Sequence, residues 1–213
     1  MNIPNIKYNG NVSINISAED DYYQSISYFK TLEDFIDETS YSKFIKAVEN
    51  LVRTSNDYKT FISYIKDTLG INFCQIFSNI TDTDAPVEFH HGPIFTLYDI
   101  CEMELIKFMK TGQRINTFRI ANSVLDLHFA MKVNGVMLCE TSHEMAHNQD
   151  VFLNVRQSIG DVNTYIKEYS KYFTSEMKYK IWNYIKMCES NDSFDNGGLD
   201  IENVKKYINP INC

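Results

Sequence analysis

The chain has 213 residues, 44% apolar and 23% charged, with a net charge of -8. That length and balance suit one substantial core with attached helices and exclude an intrinsically disordered chain. The acidic surplus weighs against generic DNA coating, because non-specific DNA affinity comes from Lys and Arg neutralising phosphates.

Residues 1–30 are polar, carry the acidic run Glu19-Asp20-Asp21, and read as an N-terminal arm with at most a short strand. Over residues 31–70 the apolar positions recur at three and four, as in Phe44, Val48, Leu51 and Val52 and then Tyr58, Phe61, Ile62 and Ile65. This spacing predicts two helices, with Gly70 as the stop of the second. INFCQIF at 71–77 and VEFHH at 87–91 are β-branched and aromatic, and the polar segment NITDTDAP between them predicts a β-hairpin. Helical spacing then runs over 96–109, breaks at Thr111-Gly112 and resumes over 116–132. A short apolar stretch, VMLC at 136–139, leads into TSHEMAHN. There Thr141 and Glu144 fit a capping box that would start a helix at the turn of His143. Residues 151 to about 187 predict two or three helices, with apolar positions such as Tyr165, Tyr169, Tyr172 and Phe173. The polar run SNDSFDNGG is expected to fray before a last short helix over 199–208.

Cys74, Cys101, Cys139, Cys188 and Cys213 are odd in number and lack CxxC spacing, so neither a disulfide framework nor a four-cysteine zinc site is suggested. No basic stretch followed by an apolar one opens the chain, and no apolar run approaches the ~18 residues of a membrane span. The expectation is a cytoplasmic protein with no membrane partner.

All five histidines, His90, His91, His128, His143 and His147, fall between positions 90 and 147. Histidine is the commonest metal ligand and the usual general base near neutral pH, so the clustering points to a site. His143 and His147 stand four apart, which on a helix puts both imidazoles on one face, one turn apart. His90 and His91 end a strand, where successive side chains point to opposite faces. Such a set suits metal-assisted phosphodiester hydrolysis, in which an ion binds the phosphate and an unligated His activates water.

A strand ending in His-His, then NGVMLC, then SHEMAH, resembles the HNH (ββα-metal, His-Me finger) endonuclease family. The run HHGPIFTLYDI is similar to phage-encoded members of it. The resemblance implies metal ligation by His90, His143 and His147, a general base at His91, and Asn134 pinning the loop and orienting His91. It also implies a single divalent ion (Zn, Mg, Mn or Ni), DNA as substrate, and location in the host cytoplasm if the chain is phage-encoded. Cys139 and Ser142 stand where many relatives carry a CxxC zinc knuckle, so no second structural zinc is expected. This sequence departs from the family in the 42 residues between His91 and Asn134.

His143-Glu144-Met145-Ala146-His147 also reads H-E-x-x-H, the zinc-metalloprotease signature, with Glu168 as an available third ligand. Against it, the motif would open its helix instead of lying inside one, and His90-His91 would be left unexplained. A third reading is a non-catalytic, metal-stabilised phage binding or structural protein. Residues 105–134 carry Lys107, Lys110, Arg114, Arg119 and Lys132 against Asp126 alone, and these five are the candidate DNA contacts. His128 is left without a role. A homodimer or a phage protein partner is compatible with all three readings.

The expected fold is α+β and mostly helical, with a small antiparallel β-hairpin plus a metal-binding helix (a ββα-metal motif) interrupted by a helical insertion. The expected organisation is an arm at 1–30, helices at 31–70, a nuclease core at 71–148 with its insertion at 95–132, and helices with a polar tail at 149–213.

Overall fold

A computed structural model describes residues 6–7, 13–14, 29–148, 150–190 and 197–208. The expectation that SNDSFDNGG frays lies mostly outside these residues. The described chain is mostly helical with little strand, an α+β composition. Near the start, Ile6–Lys7 (β1) pairs antiparallel with Ser13–Ile14 (β2).

Two helices follow, as the spacing predicts. Asp37 caps Glu38–Thr54 (α1) by accepting from the Ser40 amide, and the helix buries Phe44, Ile45, Val48 and Val52. Ser55 ends α1 and caps Asn56–Ser63 (α2), its hydroxyl accepting from the Tyr58 amide. A π-turn at Tyr64–Thr68 leads to Gly70, whose φ of 70° is the left-handed stop that glycine adopts freely.

Val87–His91 (β3) then enters the core, but its partner is not residues 71–77. It pairs antiparallel with Gly135–Cys139 (β4), in the register Val87↔Cys139 to His91↔Gly135. The intervening turn explains the difference. Asp84 accepts from the Thr81 amide and hydroxyl, and Asp82 accepts from the Val87 amide and from Lys66. Carboxylates that capture backbone donors close a turn on itself and compete with a ladder. Segment 71–77 instead pairs briefly with 80–82, through the bridge Phe73↔Thr81 and the bonds Cys74 N–H to the Ile80 carbonyl and Asp82 N–H to the Asn72 carbonyl, and Gln75 clasps Met137 in both directions.

Between the paired strands lie Leu97–Thr111 (α3) and Thr117–Phe129 (α4). A Thr96/Asp99 capping box starts α3, Gly112 ends it at φ 66°, and Asn116 caps α4. Helices α1, α3 and α4 pack on one another. Every residue of β4 is buried, and it runs directly into Glu140–His147 (α5). The expected Thr141/Glu144 capping box is not formed. The N-cap is Cys139, Thr141 already lies inside the helix, and the Ser142 hydroxyl turns inward to donate to the Cys139 carbonyl. Val162–Tyr169 (α6), Ser175–Glu189 (α7) and Ile201–Ile208 (α8) complete the fold. One hydrophobic cluster runs from Phe44 to Ile208, so the helices on both sides of the strands share a core.

Gly135 has no side chain for a steric reason. A Cβ there would collide with the ring of Phe89. Gly135→Ala is therefore expected to destabilise the fold by about 1–3 kcal/mol, the usual cost of overpacking. Urea unfolding of the two proteins measures it, and equal midpoints would show that Phe89 has room to move.

Candidate metal centre

Strand alternation sorts β3 into two faces. Val87, Phe89 and His91 are buried, whereas Glu88 and His90 lie on the less buried side. His143 and His147, one turn apart on α5, meet His90 there. The ring centroids are 4.9 Å (His90 to His143), 5.1 Å (His90 to His147) and 4.7 Å (His143 to His147) apart. One nitrogen from each imidazole lies within 4.8 Å of the other two. Gly92 gives the triad room, since a Cβ there would sit 3.1 Å from Nε2 and Cδ2 of His90.

These residues fit a divalent transition ion. Ligation needs neutral imidazoles, and burial followed by repulsion from His143 and His147 brings His90 down to about 4. Burial and His147 likewise lower His143, against a raising contribution from Glu88. Oε2 of Glu88 is 3.9 Å from Nδ1 of His143. The triad opens on a cleft of about 1000 Å³, also lined by Glu88, Arg53, Lys180, Lys186 and Phe152. Three nitrogen ligands with an open side are what a catalytic ion requires, whereas a structural zinc is closed by four.

His91 is not brought to the triad. Its imidazole is buried on the far face of β3, with Nε2 2.9 Å from Nε2 of His128 and Tyr58 stacked on the ring. The Val124 carbonyl lies 2.7 Å from Nδ1 of His128 and only accepts, so that nitrogen carries the proton. Nε2 of His128 is then an acceptor, and His91 donates to it. This leaves Nδ1 of His91 as a buried acceptor without a hydrogen-bond partner. Asn134 is also buried. Its carbonyl accepts from the Gly92 amide and so joins the two loop ends, but its side-chain nitrogen has no partner and makes no bond to His91.

None of the five candidate DNA-contacting residues lines the cleft. Lys107 binds the buried carboxylate of Glu104, Lys110 donates to the Lys171 carbonyl, and Lys132 pairs with Glu168. Arg114 lies over Phe29, and Arg119 donates to the Arg114 carbonyl and lies over Phe108. Glu168 is thus held by Lys132, and Glu144 is exposed and outside the cleft. Ser142 bridges two thiols, at 3.1 Å from Sγ of Cys74 and 3.5 Å from Sγ of Cys139.

Sequence reasoning missed three features. Glu88 was legible from strand alternation, two residues before His90. His128 was legible as the third member of the Ile120, Val124, His128 stripe on the buried face of α4. Arg53, Lys180 and Lys186 come from α1 and α7, far along the chain, and no local pattern marks them.

Residues 1–212 match the family model of bacteriophage G278-like virion proteins. The chain belongs to that family. No curated protein and no solved structure matches it. No helix among the described residues is long and apolar enough to cross a membrane.

Two outcomes are expected of this virion-family protein. First, it should hold one divalent ion per chain, and His143→Ala should lose it. Elemental analysis after dialysis reads the loading, and equal loading of both proteins would displace the ligand assignment. At ~100-fold excess over the dissociation constant the ion should add ~2.7 kcal/mol to the stability.

The second concerns pH. Burial brings His128 from 6.5 down to about 4, against its bond to Val124. Between those values the unfolded chain takes up a proton that the folded chain refuses. Stability is therefore full above pH 6.5 and falls as pH drops toward 4, by about 1.4 kcal/mol per pH unit for one imidazole. Urea unfolding across this window tests it, and a flat profile would mean that the buried pair accepts charge.

Proposed function

We propose that this chain is a metal-dependent phosphodiesterase of the HNH type, acting on DNA through a ββα-metal motif. One observation carries the reading. Strands β3 and β4 and the helix that follows them bring His90, His143 and His147 together at an open cleft, although α3 and α4 separate the strands. A divalent ion bound there supplies Lewis-acid stabilisation of the phosphate and a more acidic bound water.

The chain's own residues do the rest. The three imidazoles stay neutral and hold the ion. Glu88, on the same face as His90, is the carboxylate in the cleft and is placed to take the proton of the attacking water, the task first expected of His91. His91 and His128 hold the end of β3 from behind, which makes His91 a positioning residue.

A second reading is a non-catalytic virion component stabilised by the same ion. The family's description and the interior position of His91 favour it. The metalloprotease reading has less support, since Glu144 lies outside the cleft and Glu168 is engaged elsewhere. On either favoured reading the virion family suggests the phage particle as the protein's place.

The expected outcome is nicking of plasmid DNA with at least one of Zn, Mg, Mn or Ni. His143→Ala should abolish it, and Glu88→Gln should keep the metal but slow cleavage by ~100-fold, the usual contribution of a general base. Full metal loading without cleavage of plasmid or of single-stranded DNA under any of the four ions would leave the metal-stabilised component as the function.

A further inference from the structure

The cleft contrasts with the chain that surrounds it. The whole protein has 28 carboxylates against 20 Lys and Arg. The charged side chains lining the cleft are Arg53, Lys180 and Lys186 against Glu88 alone. Two of these cations are already engaged: Arg53 binds Glu49, and Lys180 is 2.7 Å from the buried carboxylate of Asp99. Lys186 is exposed on α7, and no hydrogen bond or ion pair is found for its side chain among the described residues. Beside it the lining turns apolar. Met187 is 46% exposed, and Phe152 stacks on Tyr184 with centroids 5.3 Å apart and planes 21° from parallel.

A metal-binding triad, an unengaged lysine and an aromatic-lined apolar wall in one cleft call for a ligand that has both phosphates and flat apolar faces. Duplex DNA meets only half of this description. Its bases stack on one another inside the helix, so it would present phosphate and sugar and leave Phe152 and Met187 unused. An unpaired strand offers both, because every base has a π-face that stacks on aromatic side chains while the backbone follows the cations.

We propose that this cleft takes an unpaired nucleic-acid strand, with a phosphate at Lys186 beside the triad and a base against Phe152 and Met187. The assignment names the substrate form of the phosphodiesterase reading and rests on it for the chemistry, while strand binding is measurable without turnover.

The test is fluorescence anisotropy of the zinc-loaded protein with a short labelled single strand, the same strand in a duplex, and an abasic strand of equal length. The single strand should bind at least about tenfold tighter than the other two, within the range of one base-to-aromatic stack. Lys186→Ala should flatten the log K against log salt slope by roughly 0.7, the value for one phosphate on a single strand. Phe152→Ala should weaken binding of the base-bearing strand and leave the abasic one unchanged. Because Phe152 packs on Tyr184, Met187→Ala at an exposed position repeats this test without a folding cost.

Equal affinity for single strand and duplex, or for base-bearing and abasic strands, overturns the proposal, as does failure to bind any of the three. Gel analysis of the same samples separates it from the parent reading. A strand that is bound but not cut under any metal sinks the hydrolytic reading and leaves this one standing. A duplex bound and cut as well as the single strand does the reverse.

Discussion

The pairing of Val87–His91 with Gly135–Cys139 is the constraint on which the rest of the site depends. Strand β4 is buried along its whole length and must satisfy its backbone inside the core, where an unpaired amide or carbonyl is costly. Strand β3 supplies one edge, while the Gln75 clasp and the bridge Gly135↔Ile159 complete the pairing around it. The ladder fixes His90 opposite Val136 and points β4 into α5, so the position of the two helical histidines follows from the pairing of the first. A slip of one residue would exchange His90 with His91 and turn the wrong imidazole toward the cleft.

That exchange would matter because the two histidines occupy opposite environments. His90 shares a half-open face with two other imidazoles, and burial and mutual repulsion keep it neutral for ligation. His91 is enclosed, stacked on Tyr58 and bonded to His128, and burial disfavours charge on either ring of the pair. Adjacent residues of one type thus divide into a group available to an ion and a group that serves the core. The division comes from the two-residue period of the strand.

Much of this was legible in the sequence. The helical histidine pair, the alternation of His90 and His91, and the helices of residues 31–70 and 96–132 all follow from periodicities spanning a few residues. What escaped reading depends on contacts between distant segments. Residues 71–77 have the composition of a strand, but Asp82 and Asp84 use their carboxylates to close the following turn and leave β3 free for another partner. Thr141 and Glu144 match a capping motif, yet the inward hydrogen bond of Ser142 sets the helix start one residue before Thr141. The basic segment reads as a charged surface until the partners of each cation are seen; Glu104 stands three residues before Lys107, but Lys171, Glu168 and Phe29 lie far from the cations they meet. The cleft cations come from α1 and α7, which only the tertiary fold brings to the same side.

The separation of the two strands bears on how the protein is made. His90 precedes α3 and α4, His143 and His147 follow them, and closing so long a loop must be driven by docking of the helices between. The nascent chain therefore has no triad until the last part of α5 has left the ribosome and the helical pair has packed. Assembly of the triad is tied to global folding, and a chain truncated before His147 would lack both one of its imidazoles and the part of the core that α6, α7 and α8 supply.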